Sequence, residues 1–282
     1  MSQSENVALI VIDAFSSCNS EPRHQYNFVT LHPHRLLAKK NRSKMEMYLT
    51  LTMVGLIAGT LSGSVGFGGG MILLPVITYF YGVEIAVPVS TIAQMMSNLS
   101  RAAMGWRAIE WKQVAWFLLP ALPFTALGAF GFSIVDKTVM TRVLCAFLIA
   151  FSIMKVRGKM KLPRGRKTML VGGGLTGLIN GLLGISGPLS SAVFLSLELS
   201  PVSYIVSEAT AATAMHIVKA VTYGKCNLMS WHIFINGFFI GCAMMAGNFI
   251  ALKLIKRAHK KSYQRVVALV MIAVSLWLFI QA

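Results

Sequence analysis

The chain is 282 residues long, 55% hydrophobic and only 12% charged, with a mean hydropathy of +0.66. A soluble domain carries roughly a quarter of its residues as charges, so the solvent of this chain is largely lipid. The 26 Lys and Arg against 9 Asp and Glu leave a net charge of +17, but these basic residues cluster between apolar runs, which follows the positive-inside bias and argues against a nucleic-acid partner.

Residues 1–44 differ from the rest. The run VALIVI at 7–12 is short, ends at Asp13 and has no basic residue before it, which is not the pattern of a signal peptide. Residues 16–44 are polar and basic, and His24, His32 and His34 are too scattered to mark a metal site. The segment 1–44 is expected to be a disordered tail or an upstream extension, with MEMYLTL at Met45 reading as the start of the membrane part.

From there, apolar segments are expected at 48–63, 69–82, 86–105, 112–132 and 138–155, within a first transmembrane repeat over 45–155. A basic loop at 156–168, expected on the cytoplasmic side, separates it from a second repeat over 169–282. The segments there are 169–183, 188–199, 202–223, 229–252 and 263–281. A spanning helix needs about 20 residues, so the first two segments of each half read as short, and each pair meets at a glycine cluster. Cys18, Cys145, Cys226 and Cys242 read as small packing residues; their spacing implies neither a zinc site nor a disulfide framework.

Sliding the chain against itself by 118 residues places Gly55, Gly59, Gly63, Gly66 and Gly69 on Gly173, Gly177, Gly181, Gly184 and Gly187. One residue further, Gly105 falls on Gly224 and Gly128 on Gly247. Glycine at every fourth position makes a flat stripe on which another helix can lie closely. The clusters GSVGFGGG at 63–70 and GLLGISGP at 181–188 ask for more than packing, because Gly and Pro188 interrupt a helix. Backbone groups freed at membrane depth need protein, water or ligand as partners, and broken helices at matching places in two halves point to a transporter site. A nucleotide fingerprint is absent, since Met71 stands where the last glycine of G-x-G-x-x-G belongs and no G-K-[ST] follows.

The pattern G-x-x-x-G-x-x-x-G-x-x-G-F-G-G-G-M-I-L-L-P at 55–75 resembles the first signature of the sulfite exporter TauE/SafE family of membrane permeases. GLLGISGP, followed by EATAATAMHIVKAVTYG at 208–224, resembles its repeat signature. The resemblance covers about residues 47 to 280. It implies an all-α polytopic membrane protein with two homologous halves and about 8–10 hydrophobic segments. It further implies export or permeation of sulfite, sulfonates or related organic or sulfur oxyanions across a bacterial inner membrane.

Polar residues inside the apolar segments supply the candidate site. Segment 86–105 carries Ser90, Thr91, Gln94, Ser97, Asn98, Ser100 and Arg101, and segment 202–223 carries Ser207, Glu208, Thr210, Thr213, His216 and Lys219. The shift of 118 places Asn98 on His216 and Arg101 on Lys219, each pair spaced i, i+3 on one helix face. Charges inside a span usually face a cavity or pathway; the competing reading has both cations near segment ends, snorkelling to headgroups. On the first reading the substrate site comprises Gly66, Gly68, Gly69, Gly70, Asn98 and Arg101 from one half. The other half contributes Gly184, Ser186, Gly187, His216 and Lys219. Glu208 either carries a coupling ion, proton or sodium, or pairs with Lys219. Trp106, Trp111 and Trp116 read as interfacial anchors.

These residues predict a multi-pass transporter of small anions, with no catalytic residues, cofactor or metal. The partners are the oxyanion, the bilayer, a coupling ion and, as an open alternative, a second copy in a homo-oligomer. An anion channel would use the same groups as a filter, and a non-transporting scaffold would lack a cavity at the glycine clusters. An enzyme would need clustered His, Asp, Glu or Cys such as H-E-x-x-H. If each broken pair returns to its own side, three spans follow and the second half is inverted. Arg107, Lys112, the 156–168 loop and the basic cluster at 253–261 then all lie inside.

Overall fold

The structure, a computed structural model, describes residues 44–66, 69–156 and 162–254. The tail before residue 44, Gly68, part of the basic loop and the segment expected at 263–281 lie outside the described residues. Regular structure among the described residues is helical throughout. The first half contains α1 (Lys44–Val65), α2 (Gly69–Tyr81), α3 (Val83–Met104), a 3-10 turn (Trp106–Ala108), α4 (Trp111–Ile134) and α5 (Lys137–Val156). The second contains α6 (Arg166–Leu183), α7 (Gly187–Leu195), α8 (Pro201–Lys225) and α9 (Trp231–Leu254).

Stretches of α1, α4 and α9, namely Glu46–Ser64, Trp111–Ile134 and Trp231–Ala251, are long and apolar enough to cross a membrane. Their outer faces leave Leu49, Met53, Ile57, Leu119, Phe239 and Phe249 exposed, as lipid contact requires. Helices α3 and α8 have 22 and 25 residues, ample length at 1.5 Å per residue. Their polar residues lower the hydropathy because that face turns inward: Ser90, Thr91, Gln94, Asn98 and Arg101 on α3 are buried, as are Ser207, Glu208, Thr213, His216 and Lys219 on α8. The second arms of the two broken pairs are short, 13 residues in α2 and 9 in α7. The first arms are not equally short: α1 has 22 residues, more than the expected segment 48–63. The helix runs through Gly63, because that glycine packs against Asn248 and Ala251 of α9 and is not a breaking point. Helix α7 ends earlier than expected, in a turn where Glu198 takes a left-handed backbone conformation (φ 56°).

The glycine stripes explain how the halves interlock. A Cβ on Gly59 would run into the backbone of Met244 on α9, and one on Gly177 into the backbone of Ala121 on α4. Gly247 of α9 packs in return on Leu56 and Thr60, and Gly128 of α4 on Leu178 and Leu182. The first helix of each half thus lies along the fourth helix of the other, at van der Waals distances that only small residues allow. Helices α3 and α8 pack against each other at the centre, which brings the polar faces of both halves together. Asn248 on α9 ties into this centre by donating to Ser97 O (2.9 Å), Ser97 Oγ (3.1 Å) and Ser100 Oγ (2.8 Å). Cys145 is buried and Cys242 exposed, and both are free thiols. Trp106 and Trp111 are exposed, at 60% and 62%, while Trp116 is covered by the Arg166 guanidinium 3.5 Å above its ring.

Candidate functional site

Each half interrupts its first hairpin in the same way. Helix α1 ends where Gly66, at φ 84°, turns its N–H back to Ser62 O (2.9 Å). Helix α6 ends where Gly184, at φ 77°, turns its N–H back to Asn180 O (2.9 Å). Glycine is needed at both places because a side chain disfavours this left-handed conformation. The chain then re-enters a helix, at Gly69 in one half and Gly187 in the other. The first N–H groups of α2 and α7 have no acceptor inside their own helix, and the dipole of each places positive potential at that end.

Both of these helix N-termini reach one cavity. It is lined by Gly69 and Gly70 of α2, Ser186 and Gly187 at the start of α7, Gln94, Ser97, Asn98 and Arg101 of α3, and Glu208 of α8. Ser62, Met71, Ile185 and Met244 complete the wall. About 20 Å³ is open to the centre of a water molecule, enough for one or two waters.

Arg101 organises this cavity. Its side chain is 3% exposed, so the guanidinium stays inside the protein and does not snorkel. Nη1 donates to the carbonyl of Gly66 (2.7 Å) and, at 3.3 Å, to that of Ser62, which also accepts the Gly66 N–H. Nη2 donates to Asn98 Oδ1, one turn earlier on the same helix. The same Nη2 lies 3.5 Å from Glu208 Oε2, and Nε has no hydrogen-bond partner. Glu208, 1% exposed, receives the Ser190 hydroxyl on Oε1 at 2.7 Å. The acid therefore pairs with Arg101 of the other half. The alternative pairing with Lys219 is not made.

Lys219 is fully buried, which again is not a headgroup position. Its ammonium donates to Asn180 Oδ1 (3.2 Å) and Asn180 O (3.4 Å). Asn180 stands 118 residues after Ser62, so the cation of each half bonds the helix end of its own half at corresponding places. Lys219 and His216 do not line the cavity. His216 has neither ring nitrogen hydrogen-bonded, and both Lys219 and Arg101 act on it electrostatically.

Of the expected site residues, Gly69, Gly70, Asn98, Arg101, Ser186 and Gly187 meet at one cavity, together with Glu208. Gly66 and Gly184 shape its ends without lining it; Gly184 O accepts the Gln94 amide at 3.2 Å. Gly68 lies outside the described residues. Sequence reasoning named Gln94 and Ser97 among the polar residues of their segment without placing them in the site, and left out Ser62, Ser190 and Asn180. Gln94 stands one and two turns before Asn98 and Arg101 on the same face. Asn180, an amide in an otherwise apolar run just before the second glycine cluster, also carried a signal.

Known proteins place the chain. It is 24% identical over 252 residues to a "Probable membrane transporter protein" of Xylella fastidiosa, covering 82% of this chain and 94% of that one. It is 26% identical over 174 residues to a protein of the same description from Methanocaldococcus jannaschii, covering 56% of this chain and 64% of that one. No solved structure matches. The sequence profile described as sulfite exporter TauE/SafE matches residues 51–278. With apolar spanning helices, paired glycine breaks and a cavity holding a buried arginine, the chain belongs to the sulfite exporter TauE/SafE family, a family of membrane transporters.

Proposed function

We propose that this protein carries small oxyanions, such as sulfite, sulfonates or related organic and sulfur oxyanions, across a bacterial inner membrane as a multi-pass transporter. The observation that carries the reading is the convergence of two helix N-termini, at Gly69 and Gly187, on the cavity that holds the Arg101 guanidinium. An oxyanion leaving water loses hydration worth many kcal/mol, which fixed donors must replace. Unpaired N–H groups at helix starts and a full cation are suited to that task. Admitting the anion requires the cavity to widen, so transport entails movement of the short arms α2 and α7 relative to α3 and α8. Lys219, at the matching place in the second half, supplies the second cation in the other state of the cycle.

The test is uptake of labelled sulfite into proteoliposomes containing the full chain. A carrier gives saturable flux that is accelerated by unlabelled sulfite on the far side. A channel gives flux without that acceleration, and a scaffold gives no flux above protein-free vesicles.

A further inference from the structure

We propose that Glu208 is the proton site of this transporter: protonation of its carboxyl frees the Arg101 guanidinium for the anion, so that one proton and one anion cross together. This rests on the anion-transport reading above and adds the coupling ion and the residue that carries it. Among the described residues Glu208 is the carboxylate that lines the cavity, and it reaches Arg101 from the opposite half. Its two oxygens are used differently. Oε1 is held by the Ser190 hydroxyl, whereas Oε2 accepts no hydrogen bond and faces Nη2 of Arg101 at 3.5 Å. A proton on Oε2 has a place to sit without displacing another donor.

The corresponding place in the other half carries no acid. The position 118 residues before Glu208 is Ser90, whose hydroxyl bonds Val87 O in its own helix at 3.0 Å. Lys219, the counterpart of Arg101, is buried with Asn180 as its hydrogen-bond acceptor and no carboxylate. Burying a charge pair is costly, and here it appears beside one cation and not beside the other. A tethered carboxylate occupies the space an arriving oxyanion would need and cancels the charge that would attract it. When Glu208 is ionised, an incoming anion meets a neutral pair; when it is protonated, the anion meets an uncompensated guanidinium.

A sodium ion does not suit the same place. It would have to bind within a few Å of a guanidinium, where like charges in a low-dielectric site repel strongly. The charged and titratable groups facing Glu208 are Arg101 from α3 and the Tyr204 hydroxyl one turn earlier on its own helix; α7 offers the hydroxyl of Ser190. His216 and Lys219 follow two and three turns later on α8, and α2 presents Gly69 and Gly70. Glu110, beside the 3-10 turn, sends its backbone N–H to Ser207 Oγ and leaves its side chain exposed.

The experiment uses the full chain in proteoliposomes with labelled ethanesulfonate, a sulfonate that stays a monoanion throughout the range tested, and a pH-sensitive dye inside. One-proton linkage predicts that half-saturation tightens as pH falls, by up to about tenfold per unit while Glu208 is mostly ionised. It also predicts that one proton enters per anion. Glu208→Gln should half-saturate where the native protein does at the acid limit of its profile, with a flat profile and no proton movement. If that variant does not reach the membrane, the native protein's paired proton and anion fluxes decide the matter. Exchange of ethanesulfonate with pH-independent half-saturation and no proton movement overturns the coupling and leaves the transport reading standing. A Gln variant that keeps the native slope does the same. Absence of exchange by the native protein overturns both.

Discussion

The Lys219 ammonium lies 3.2 Å from the Asn180 side-chain oxygen and 3.4 Å from the Asn180 carbonyl, at the end of the helix that precedes the second glycine break. Arg101 bonds the Ser62 and Gly66 carbonyls at the end of the helix preceding the first break. In each half a buried cation bonds carbonyls at the point where the helix stops, and in each half the next helix begins within a few residues. The two cations differ in their counter-charge, and that difference separates the outcomes of removing them.

Lys219→Met removes a buried charge without orphaning a carboxylate. The variant should fold with a thermal midpoint equal to or above the native one, since apolar replacements of buried ions are often neutral or stabilising. Sulfite flux per folded protein should fall at least tenfold. Thermal unfolding in detergent, followed by vesicle uptake, checks both.

Arg101→Met leaves Glu208 buried beside no cation, which costs about 3–5 kcal/mol. It should lose folded yield, and the double variant Arg101→Met with Glu208→Gln should recover it. Recovery is read by monodispersity and midpoint in detergent. Equal loss in the single and double variants would show that Arg101 acts on the fold through the Ser62 and Gly66 carbonyls and not through its charge pair.

The glycines on the helix contacts should divide by what surrounds them. A Cβ at Gly177 would meet the backbone of Ala121, and one at Gly59 the backbone of Met244, neither of which can move cheaply. Alanine at either should push the paired helices apart and lower folded yield several-fold, a cost of about 1–3 kcal/mol. Gly224 has nothing within 4 Å of such an atom, so Gly224→Ala should express and melt like the native chain. Parallel size-exclusion profiles make the comparison.

Much of the helix plan was legible because glycine marks both the breaks and the close contacts, and the shift of 118 residues repeats those marks. The interior position of Arg101 and Lys219 was suggested by the same symmetry and is what burial reports. The Arg101–Glu208 pair was not legible. It joins α3 to α8 across the two halves, and no periodicity within a helix encodes a contact between helices. The full length of α1 was hidden for a related reason: Gly63 belongs in sequence both to the packing stripe and to the glycine cluster, and its contact with α9 shows that the first role holds.

The proposal that the two halves are inverted makes a prediction at the C-terminus. With each broken pair returning to its own side, the basic loop over 156–168 and the cluster at 253–261 both face the cytoplasm. A phosphatase fused after Ala282 should then be active, and a fluorescent protein that matures only in the cytoplasm should stay dark there. The opposite pair of signals would indicate halves in parallel orientation.

The central claim is that the cations beside the two glycine breaks handle the transported anion. Its most direct measurement is labelled sulfite uptake by proteoliposomes carrying Lys219→Met, and separately the double variant Arg101→Met with Glu208→Gln, each normalised to folded protein. The account predicts that both fall to the level of protein-free vesicles while their thermal midpoints stay near native. Uptake by both at close to the native rate and half-saturation would contradict it.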